Sequence, residues 1–314
     1  MSQSKVFQLY THVMPWEIDY CLLLFNTLSS GKLLTKNKFK IRVTLNLSSY
    51  IIDWNNSKLD KEYFIEKIHY YGKLLDVFDE VVIHVYDGNE NYGHLDLQKA
   101  VVHEENDYYV AICPDQLFDK SILQLFEQSV SMINEPHFVL TPEIPKLWDP
   151  SWDIISNDYY NRTIPISSNN TYDYMGINRY EALHITDTFS VDLEKLSTFK
   201  FAGWLDLYSK RVYENFVPVP NDWSGYGQWD LYALTILKTM KRMNFPVSVS
   251  QYKLKNFITT SIENSNWNGG ENRSIYKNRL KLNEIPDNRE HYQTTLGNKI
   301  DSQLDIIFKG TLYE

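Results

Sequence analysis

The first half of the chain alternates between two patterns of apolar residues. Ile41–Leu47 places apolar side chains at every second position, which is typical of a β-strand with one buried face. Leu59–Leu75 spaces them three or four residues apart, as an amphipathic α-helix does. By these criteria the predicted strands are Val6–Tyr10, Ile41–Leu47, Val81–Tyr86, Tyr108–Cys113 and His137–Thr141, and the predicted helices are Tyr20–Leu28, Leu59–Leu75, Leu95–His103 and Ser121–Met132. The Ser-Ser-Gly31 sequence is expected to stop the first helix.

Strands that alternate with helices predict an α/β fold with a mostly parallel, Rossmann-type sheet flanked by helices. Ligands of such sheets bind beyond the carboxyl ends of the strands. The segments to examine for function therefore follow Tyr10, Leu47, Tyr86, Cys113 and Thr141.

The second half of the chain is less regular. Asp149–Tyr180 is polar, aromatic and loop-like, order is expected to return at Phe201–Tyr208, and Tyr226–Met240 is predicted to be a helix. Beyond Ser261 the chain is polar and basic, as a lid or a C-terminal wrap would be. The predicted organisation is one domain over residues 1–260, with a nucleotide-sugar half (1–145) and an acceptor half (146–260), followed by a C-terminal extension (261–314).

Composition and charge narrow the classes of function. Hydrophobic residues make up 43% of the 314 residues, enough for a sizeable core, and the net charge of −9 argues against a protein that coats nucleic acid. Residues 238–309 nevertheless hold 12 Lys and Arg against seven Asp and Glu. This stretch is either a solvated basic face or a surface that meets an anionic acceptor. No apolar run is long enough to span a membrane, and the two cysteines predict a reduced, cytoplasmic location without disulfides.

The first candidate site is Ile112-Cys113-Pro114-Asp115-Gln116, which follows a predicted buried strand. A carboxylate at the end of such a strand can hold a divalent cation that bridges the phosphates of a nucleotide diphosphate sugar. An Asp-x-Asp sequence suits that role, and here Cys113 takes the place of the first acid and leaves Asp115 alone. The alternative is a turn formed by Pro and Asp with no ligand.

The second candidate is Gly225-Tyr226-Gly227-Gln228-Trp229-Asp230, at the predicted start of a helix. Glycines allow the backbone to approach a ligand closely, and a carboxylate in the first turn is stabilised by the helix dipole. Asp230 can then act as a general base on an acceptor hydroxyl, or it can be an ordinary acid at a helix N-terminus.

Three further segments carry weaker signals. In Thr141–Asp153, Trp148 and Asp149 suit a sugar, because an indole stacks on its C–H face while a carboxylate pairs with its hydroxyls; a structural aromatic corner is an equal alternative. Thr11, His12, Val13 and Met14 leave the first strand, although His12 can also be a surface histidine. In the basic stretch, His291 is a candidate metal ligand and Arg273 and Lys277 are candidate diphosphate contacts, against the alternative of solvated side chains.

Taken in order, these segments resemble the GT-A glycosyltransferases found among viral and bacterial proteins. The resemblance rests on the acidic strand end at Cys113–Asp115, the Pro- and Trp-rich loop Thr141–Asp153, the Gly-Trp segment Phe201–Asp206 and the Gly-Tyr-Gly-x-x-Asp segment Gly225–Asp230. It covers roughly Val6 to Leu237, and the last segment is the most specific.

The resemblance implies a role for each segment. Asp115 would contact the metal or the diphosphate, Asp230 would be the acid on the acceptor side, Gly203 and Trp204 would line the sugar pocket, and Thr11–Met14 would form the base pocket. Two departures weaken this assignment: Cys113 replaces the first acid of the metal motif, and Trp229 stands where an acid is common.

The function predicted from the sequence is transfer of a hexose from a UDP-sugar to an acceptor hydroxyl, with Mn²⁺ or Mg²⁺ and with inversion at the anomeric carbon. One possible acceptor is a hydroxymethylated pyrimidine in viral DNA, which the basic stretch favours and the net negative charge opposes. The other is a glycan or a protein side chain.

Two other classes of function stay open. The first is a non-catalytic GT-A module that binds a sugar nucleotide, which the loss of the acid at Cys113 favours. The second is a nucleotidyltransferase, which would carry a Gly-rich, basic loop after the first strand; Thr11–Trp16 contains neither glycine nor lysine.

Overall fold

A computed structural model gives the fold of the protein. The structure describes residues 4–48, 61–88, 93–114, 116–143, 173–174, 177–178, 190–196, 205–218, 249–258 and 260–261. No helix in these residues is long and apolar enough to cross a membrane.

Twelve strands and five α-helices are present in the described part of the chain. The strands are β1 (Val6–Val13), β2 (Lys38–Asn46), β3 (Glu80–Tyr86), β4 (Tyr108–Ile112), β5 (Gln116–Leu117), β6 (Phe138–Glu143), β7 (Asp173–Tyr174), β8 (Ile177–Asn178), β9 (Leu193–Lys195), β10 (Leu205–Ser209), β11 (Ser250–Ile258) and β12 (Thr260–Ser261). The α-helices are α1 (Tyr20–Lys32), α2 (Lys61–Gly72), α3 (Gly93–Ala100), α4 (Ile122–Met132) and α5 (Lys210–Phe216), and short 3₁₀ helices cover Pro15–Glu17 and Lys73–Val77.

Eight of the strands form one sheet in the order β3-β2-β1-β4-β10-β6-β11-β9. Neighbouring strands are parallel in the pairs β3/β2, β2/β1, β1/β4 and β6/β11, whereas β10 runs antiparallel to β4 and β6, and β9 runs antiparallel to β11. This confirms the predicted mostly parallel α/β sheet flanked by helices. Because β10 inserts between β4 and β6, the two predicted halves share one sheet; the proposed domain boundaries stay predictions.

The two faces of the sheet differ in chemistry. One face is apolar: side chains such as Phe7, Leu9, Ile41 and Val110 form a continuous buried core with α1, α2 and α4. The other face carries buried tyrosines of β1, β4 and β10 together with polar side chains, and it is covered by α3 and α5. The polar groups that can serve a ligand therefore lie on the second face and at the strand ends.

Several sequence predictions differ from the structure. The predicted helix Leu59–Leu75 is α2 followed by a 3₁₀ helix, and a small hairpin of β7 and β8 lies within the stretch predicted as loop. Strands β5, β9, β11 and β12 and helix α5 were not predicted either. The predicted helix Tyr226–Met240 lies outside the described residues.

Gly31 does not stop the first helix, so that prediction was wrong. Helix α1 continues through Gly31 to Lys32, and Gly31 is buried. A Cβ atom at position 31 would lie 2.5 Å from the backbone oxygen of Lys120, just before α4. The glycine therefore serves close packing between α1 and the start of α4.

We expect Gly31→Ala to lower the free energy of unfolding by about 1–3 kcal/mol, because the added methyl group forces a backbone carbonyl away. Gly72→Ala is the matched control, since its Cβ would meet only the movable end of the Ile83 side chain. Urea denaturation of both variants measures the difference. A loss in Gly31→Ala no larger than that in Gly72→Ala would contradict the close-packing role.

Candidate active site

The carboxyl ends of the parallel strands define the candidate site. Strands β1, β2, β3 and β4 end side by side at Val13, Asn46, Tyr86 and Ile112. The antiparallel strand β10 begins at the same edge, because Leu205 pairs with Ile112. Residues at this edge belong to different parts of the sequence and are brought together by the topology of the sheet.

The end of β1 differs from the sequence prediction. Thr11, His12 and Val13 lie in β1 rather than in the loop, and Met14 follows the strand. Thr11 and Val13 point to the apolar side and are buried, whereas the side chains of His12 and Met14 are half-buried. Of these four residues, His12 and Met14 are therefore the ones that can offer side chains to a ligand; their role in binding stays a prediction.

The backbone at Met14 is fixed by a reciprocal pair of hydrogen bonds. Met14 N–H donates to the Glu17 carboxylate at 2.9 Å, and Glu17 N–H donates to the Met14 carbonyl at 2.9 Å. Pro15 stands at the first position of the short 3₁₀ helix, where its missing N–H costs nothing. This turn holds the exit of β1 in one conformation.

A buried asparagine at the end of β2 connects His12 to the backbone. The side-chain amide nitrogen of Asn46 lies 3.2 Å from His12 Nε2, and its oxygen accepts the Ser48 N–H at 3.1 Å. Leu47 N–H donates to the Tyr86 carbonyl at 2.7 Å and so ties this end to β3. Asn46 was not among the predicted site residues, although its position directly after the alternating strand could have indicated it.

Further polar groups lie beside this network. Thr44 occupies the same row as His12 and His84 across β1, β2 and β3. His84 Nε2 is 3.6 Å from a carboxylate oxygen of Asp96 in α3. The buried hydroxyls of Thr44 and Ser48 have no hydrogen-bond partner in the described part of the chain. A buried hydroxyl group without a hydrogen-bond partner lowers the stability of the fold. Packing of the sheet therefore does not explain why polar side chains stand at this edge.

The chain turns sharply after β4. Gln116 N–H donates to the Cys113 carbonyl at 3.3 Å, which closes a turn with Pro114 at its second position. Cys113 carries a half-buried thiol that forms no disulfide. Strand β5, directly after the turn, pairs antiparallel with β12, so the chain at Thr260–Ser261 reaches the same place. Asp115 itself lies outside the described residues, so its predicted metal role stays a prediction.

A buried acid lies in β10, opposite the second-last residue of β4. Asp206 of β10 pairs in register with Ala111 of β4, and the hydroxyl of Tyr208 donates to its carboxylate at 3.4 Å. Tyr10 lies nearby on the same face. Burial, the neighbouring Tyr213 and then the charge of Asp206 raise the pKa of the Tyr10 hydroxyl well above its ordinary value. Burial also raises the pKa of Tyr109 and Tyr213, so these three hydroxyls of the tyrosine layer beneath the candidate site stay uncharged.

Most of the predicted site residues lie outside the described ranges. They are Asp115, Trp148, Asp149, Gly203, Trp204, Gly225, Tyr226, Gly227, Asp230 and His291. Their roles and the predicted convergence of Asp115 and Asp230 on one cleft stay predictions. Among the residues that the structure does describe, no three His, Cys, Asp or Glu side chains are grouped to hold a metal ion.

Comparisons with known proteins give structural neighbours only. No family model and no curated protein matches the chain. Solved structures with a similar architecture include S. aureus TarS (10% identity, TM-score 0.46, covering 92% of this chain and 45% of TarS). Another is glucosyl-3-phosphoglycerate synthase from Mycobacterium tuberculosis in complex with Mn²⁺, UDP-glucose and phosphoglyceric acid (12% identity, TM-score 0.43, covering 90% and 82%).

A third similar structure is CMP:2-keto-3-deoxy-manno-octonic acid synthetase complexed with CTP (10% identity, TM-score 0.37, covering 90% and 100%). The chain is similar to these proteins in architecture. It spans less than half the length of TarS. No activity is carried over from any of them.

Proposed function

We propose that the protein transfers a hexose from a nucleotide diphosphate sugar, UDP-glucose or a similar donor, to an acceptor hydroxyl. The observation that carries the proposal is the arrangement at the carboxyl edge: the polar end of β1 lies directly beside the turn that follows β4. The end of β1 would contact the nucleoside, and the turn after β4 would contact the diphosphate. Polar side chains suit a base, and a carboxylate at the neighbouring strand end would meet an anionic diphosphate through a divalent cation.

A divalent cation, Mn²⁺ or Mg²⁺, fits the donor set proposed for the diphosphate end. Asp115 would supply a carboxylate oxygen and His291 an imidazole nitrogen to this cation. Only one acid stands in the turn after β4, because Cys113 occupies the place of the other. The bound cation would neutralise charge on the leaving diphosphate.

The chain's own residues would bind the sugar and move the proton. Gly203, Trp204, Trp148 and Asp149 would contact the hexose, and Gly225, Tyr226 and Gly227 would bring the backbone close to it. Asp230 accepts the proton of the acceptor hydroxyl. At the same time the oxygen of that hydroxyl forms a bond to the anomeric carbon of the hexose. The bond to the nucleoside diphosphate breaks with its electron pair, so a single displacement inverts the configuration.

The acceptor is a hydroxyl group of a glycan or a protein, or the hydroxymethyl group of a modified pyrimidine in viral DNA. DNA binding would draw on the basic stretch 238–309. Two of its lysines are already engaged, because Lys253 lies 3.2 Å from Glu194 and Lys255 lies 3.4 Å from Asp192. Ion pairs of this kind reduce the charge available to phosphates. The cytoplasmic location expected from the sequence belongs to the same proposal.

A second candidate function is a non-catalytic module that holds a sugar nucleotide. The thiol of Cys113 favours it, because Mn²⁺ and Mg²⁺ prefer oxygen ligands and bind a sulfur at the end of β4 less well than the carboxylate it replaces. Both functions predict nucleotide binding, and only the first predicts turnover.

A screen of nucleotide sugars by thermal shift, with and without Mn²⁺, tests the proposal, followed by transfer assays on hydroxymethylated DNA and on glycan acceptors. We expect a UDP-hexose to raise the unfolding temperature in the presence of Mn²⁺. Binding without product formation on any acceptor would favour the non-catalytic module. No shift with any nucleotide sugar would overturn both functions.

Asp115→Ala is expected to weaken binding of the UDP-sugar in Mn²⁺ by about 10- to 100-fold, the usual effect of perturbing a metal site. Without metal, the variant and the unchanged protein should bind alike. Asp76→Ala, at an exposed position of a 3₁₀ helix, is the control and should bind normally. Isothermal titration calorimetry provides the affinities, and an equal loss with and without Mn²⁺ would exclude a metal role for Asp115.

A further inference from the structure

Helix α2 presents two large aromatic side chains to solvent. Tyr63 is 51% exposed and Tyr70 is 68% exposed, so packing in the core explains neither ring. The two tyrosines are seven residues apart, which places them on one face of the helix, two turns or about 10.5 Å from each other along its axis. The exposed Glu66 stands between them on this face. Tyr63, Glu66 and Tyr70 together form the α2 strip.

Neighbouring side chains hold both rings of the α2 strip in place. Lys67 Nζ donates to the Tyr63 hydroxyl at 2.7 Å and to the Asp19 carboxylate at 2.5 Å. The hydroxyl of Tyr71 donates to the same carboxylate at 3.4 Å, and its ring packs against Tyr70 with centroids 5.9 Å apart. Rings that are fixed before binding lose less conformational entropy when a ligand stacks on them.

The α2 strip begins near the candidate site. Helix α2 lies in the chain between the parallel strands β2 and β3, so it runs back from the carboxyl edge and its first turn is the end nearer that edge. Asp19 follows the turn that leaves β1 at this edge, and Lys67 contacts it. A chain-like ligand on the α2 strip can therefore extend from Tyr63 toward the candidate site.

The charges around the α2 strip favour an uncharged ligand. Residues 61–73 carry three lysines and two glutamates, and Asp19 brings the sum to zero. The carboxylate of Glu66 lies between the rings and repels phosphate groups. Surfaces that bind nucleic acid combine stacking rings with a positively charged groove, and this face of α2 has no such excess of positive charge.

A glycan matches both the chemistry and the spacing of the α2 strip. Aromatic rings stack on the C–H faces of sugar rings, and a carboxylate accepts hydrogen bonds from sugar hydroxyls. An extended β-linked glycan repeats every two sugar units, over about the 10.5 Å that separates the two tyrosines along the helix. One sugar can therefore stack on each ring, with the hydroxyls of the sugar between them facing Glu66.

We propose that the α2 strip is a secondary binding surface for an uncharged, β-linked glycan chain, which holds a polymeric acceptor while its end reaches the candidate site. The binding surface stands on its own observations, whereas its role in holding an acceptor rests on the proposed function. The inference names the class of acceptor that the proposed function leaves open, a glycan rather than DNA.

Binding is tested without any nucleotide, by isothermal titration calorimetry with cellohexaose and chitohexaose. We expect both to bind, and Tyr63→Ala and Tyr70→Ala each to weaken binding about tenfold, the effect of one stacked ring. Cellobiose is too short to span both rings and should bind about tenfold more weakly than cellohexaose. Met132→Ala, which truncates an exposed side chain of α4, is the matched control and should bind normally.

Several results would overturn the glycan surface. They are no binding of either hexasaccharide, or binding that both tyrosine variants retain. Binding of single-stranded oligothymidylate that is lost in Tyr63→Ala would assign the strip to nucleic acid instead. A dimer in light scattering that becomes a monomer in Tyr70→Ala would assign it to a second copy of the chain. Tyr63→Phe keeps the ring and should bind the glycans nearly normally, so it shows that a loss in Tyr63→Ala reflects stacking and not a disturbed fold.

The acceptor role is tested separately in the transfer assays. With a glycan acceptor, Tyr70→Ala should raise KM about tenfold and leave kcat nearly unchanged, because the ring contacts the acceptor away from the reacting atoms. An unchanged KM, or transfer to hydroxymethylated DNA and to no glycan, would overturn the acceptor role while leaving the proposed transfer intact. If the glycans bind through the strip but no nucleotide sugar shifts the unfolding temperature, the proposed function fails and the glycan surface stands.

Discussion

Asp230→Asn is expected to lower the rate of hexose transfer by about 10²- to 10⁴-fold, which is the usual contribution of a general base. An amide has nearly the same shape as a carboxylate but does not take up the proton of the acceptor hydroxyl. The affinity for the nucleotide sugar should stay nearly unchanged, because the proposed contact of Asp230 is with the acceptor. Single-turnover kinetics and calorimetry on the same variant separate the two effects.

The control for this variant is Asp222→Asn, which makes the same chemical change eight residues earlier in the chain. It should retain normal turnover. If Asp230→Asn transfers sugar at the normal rate, Asp230 is not the base. If it loses nucleotide binding to the same degree as turnover, the residue acts on the donor side instead.

Much of the sheet could be predicted because its central strands carry their own signal. Strands β1, β2 and β3 are apolar and run between amphipathic helices, so their existence and their parallel direction follow from the sequence. The direction of β10 does not follow in this way. Its alternation, with Leu205 and Leu207 on one face and Asp206 and Tyr208 on the other, is the same whether the strand is parallel or antiparallel.

The missed elements have physical explanations. The pairing of β11 with β6 shifts between Leu254 and Ile258, and such an irregularity breaks the alternation that identifies a strand. Helix α5 has seven residues, about two turns, which is too short for a helical period to emerge. Strand β9 has three residues and lies at the edge of the sheet.

The candidate site could be predicted in its location but not in its details. The role of the segment after β1 stays a prediction, and the sequence did not show that the strand continues to Val13 and buries Thr11. Asn46 was missed because its importance lies in a contact with His12, which is 34 residues away in the chain. Contacts of this kind depend on the register of β1 and β2, which the sequence alone does not specify.

The tyrosine layer beneath the site is organised around one residue of α5, Tyr213. Its ring stacks on Tyr109, with centroids 4.1 Å apart, and meets Tyr10 and Tyr208 edge to face at 5.6 Å and 5.8 Å. Its hydroxyl donates to the Gln98 carbonyl in α3 at 3.2 Å. A single fully buried side chain thus joins α5 to three strands and to α3.

Tyr213→Ala is expected to lower the free energy of unfolding by about 3–5 kcal/mol, as removal of a buried aromatic side chain does. Tyr213→Phe keeps all three ring contacts and loses only the hydrogen bond to Gln98, so its cost should be about 1 kcal/mol. Tyr70→Ala, at an exposed position of α2, is the control and should change the stability by less than about 0.5 kcal/mol.

Urea denaturation of the three variants gives these free energies. The informative result is the order of the losses, largest in Tyr213→Ala, smaller in Tyr213→Phe and smallest in Tyr70→Ala. Equal losses in the two Tyr213 variants would mean that the hydroxyl, not the ring, holds α5 in place. The expected order instead means that ring packing fixes α5 against β10, the strand that begins at the carboxyl edge beside β4. The geometry of the candidate site would then depend on an uncharged aromatic layer beneath it, and a truncation there should weaken nucleotide binding without touching the ligand.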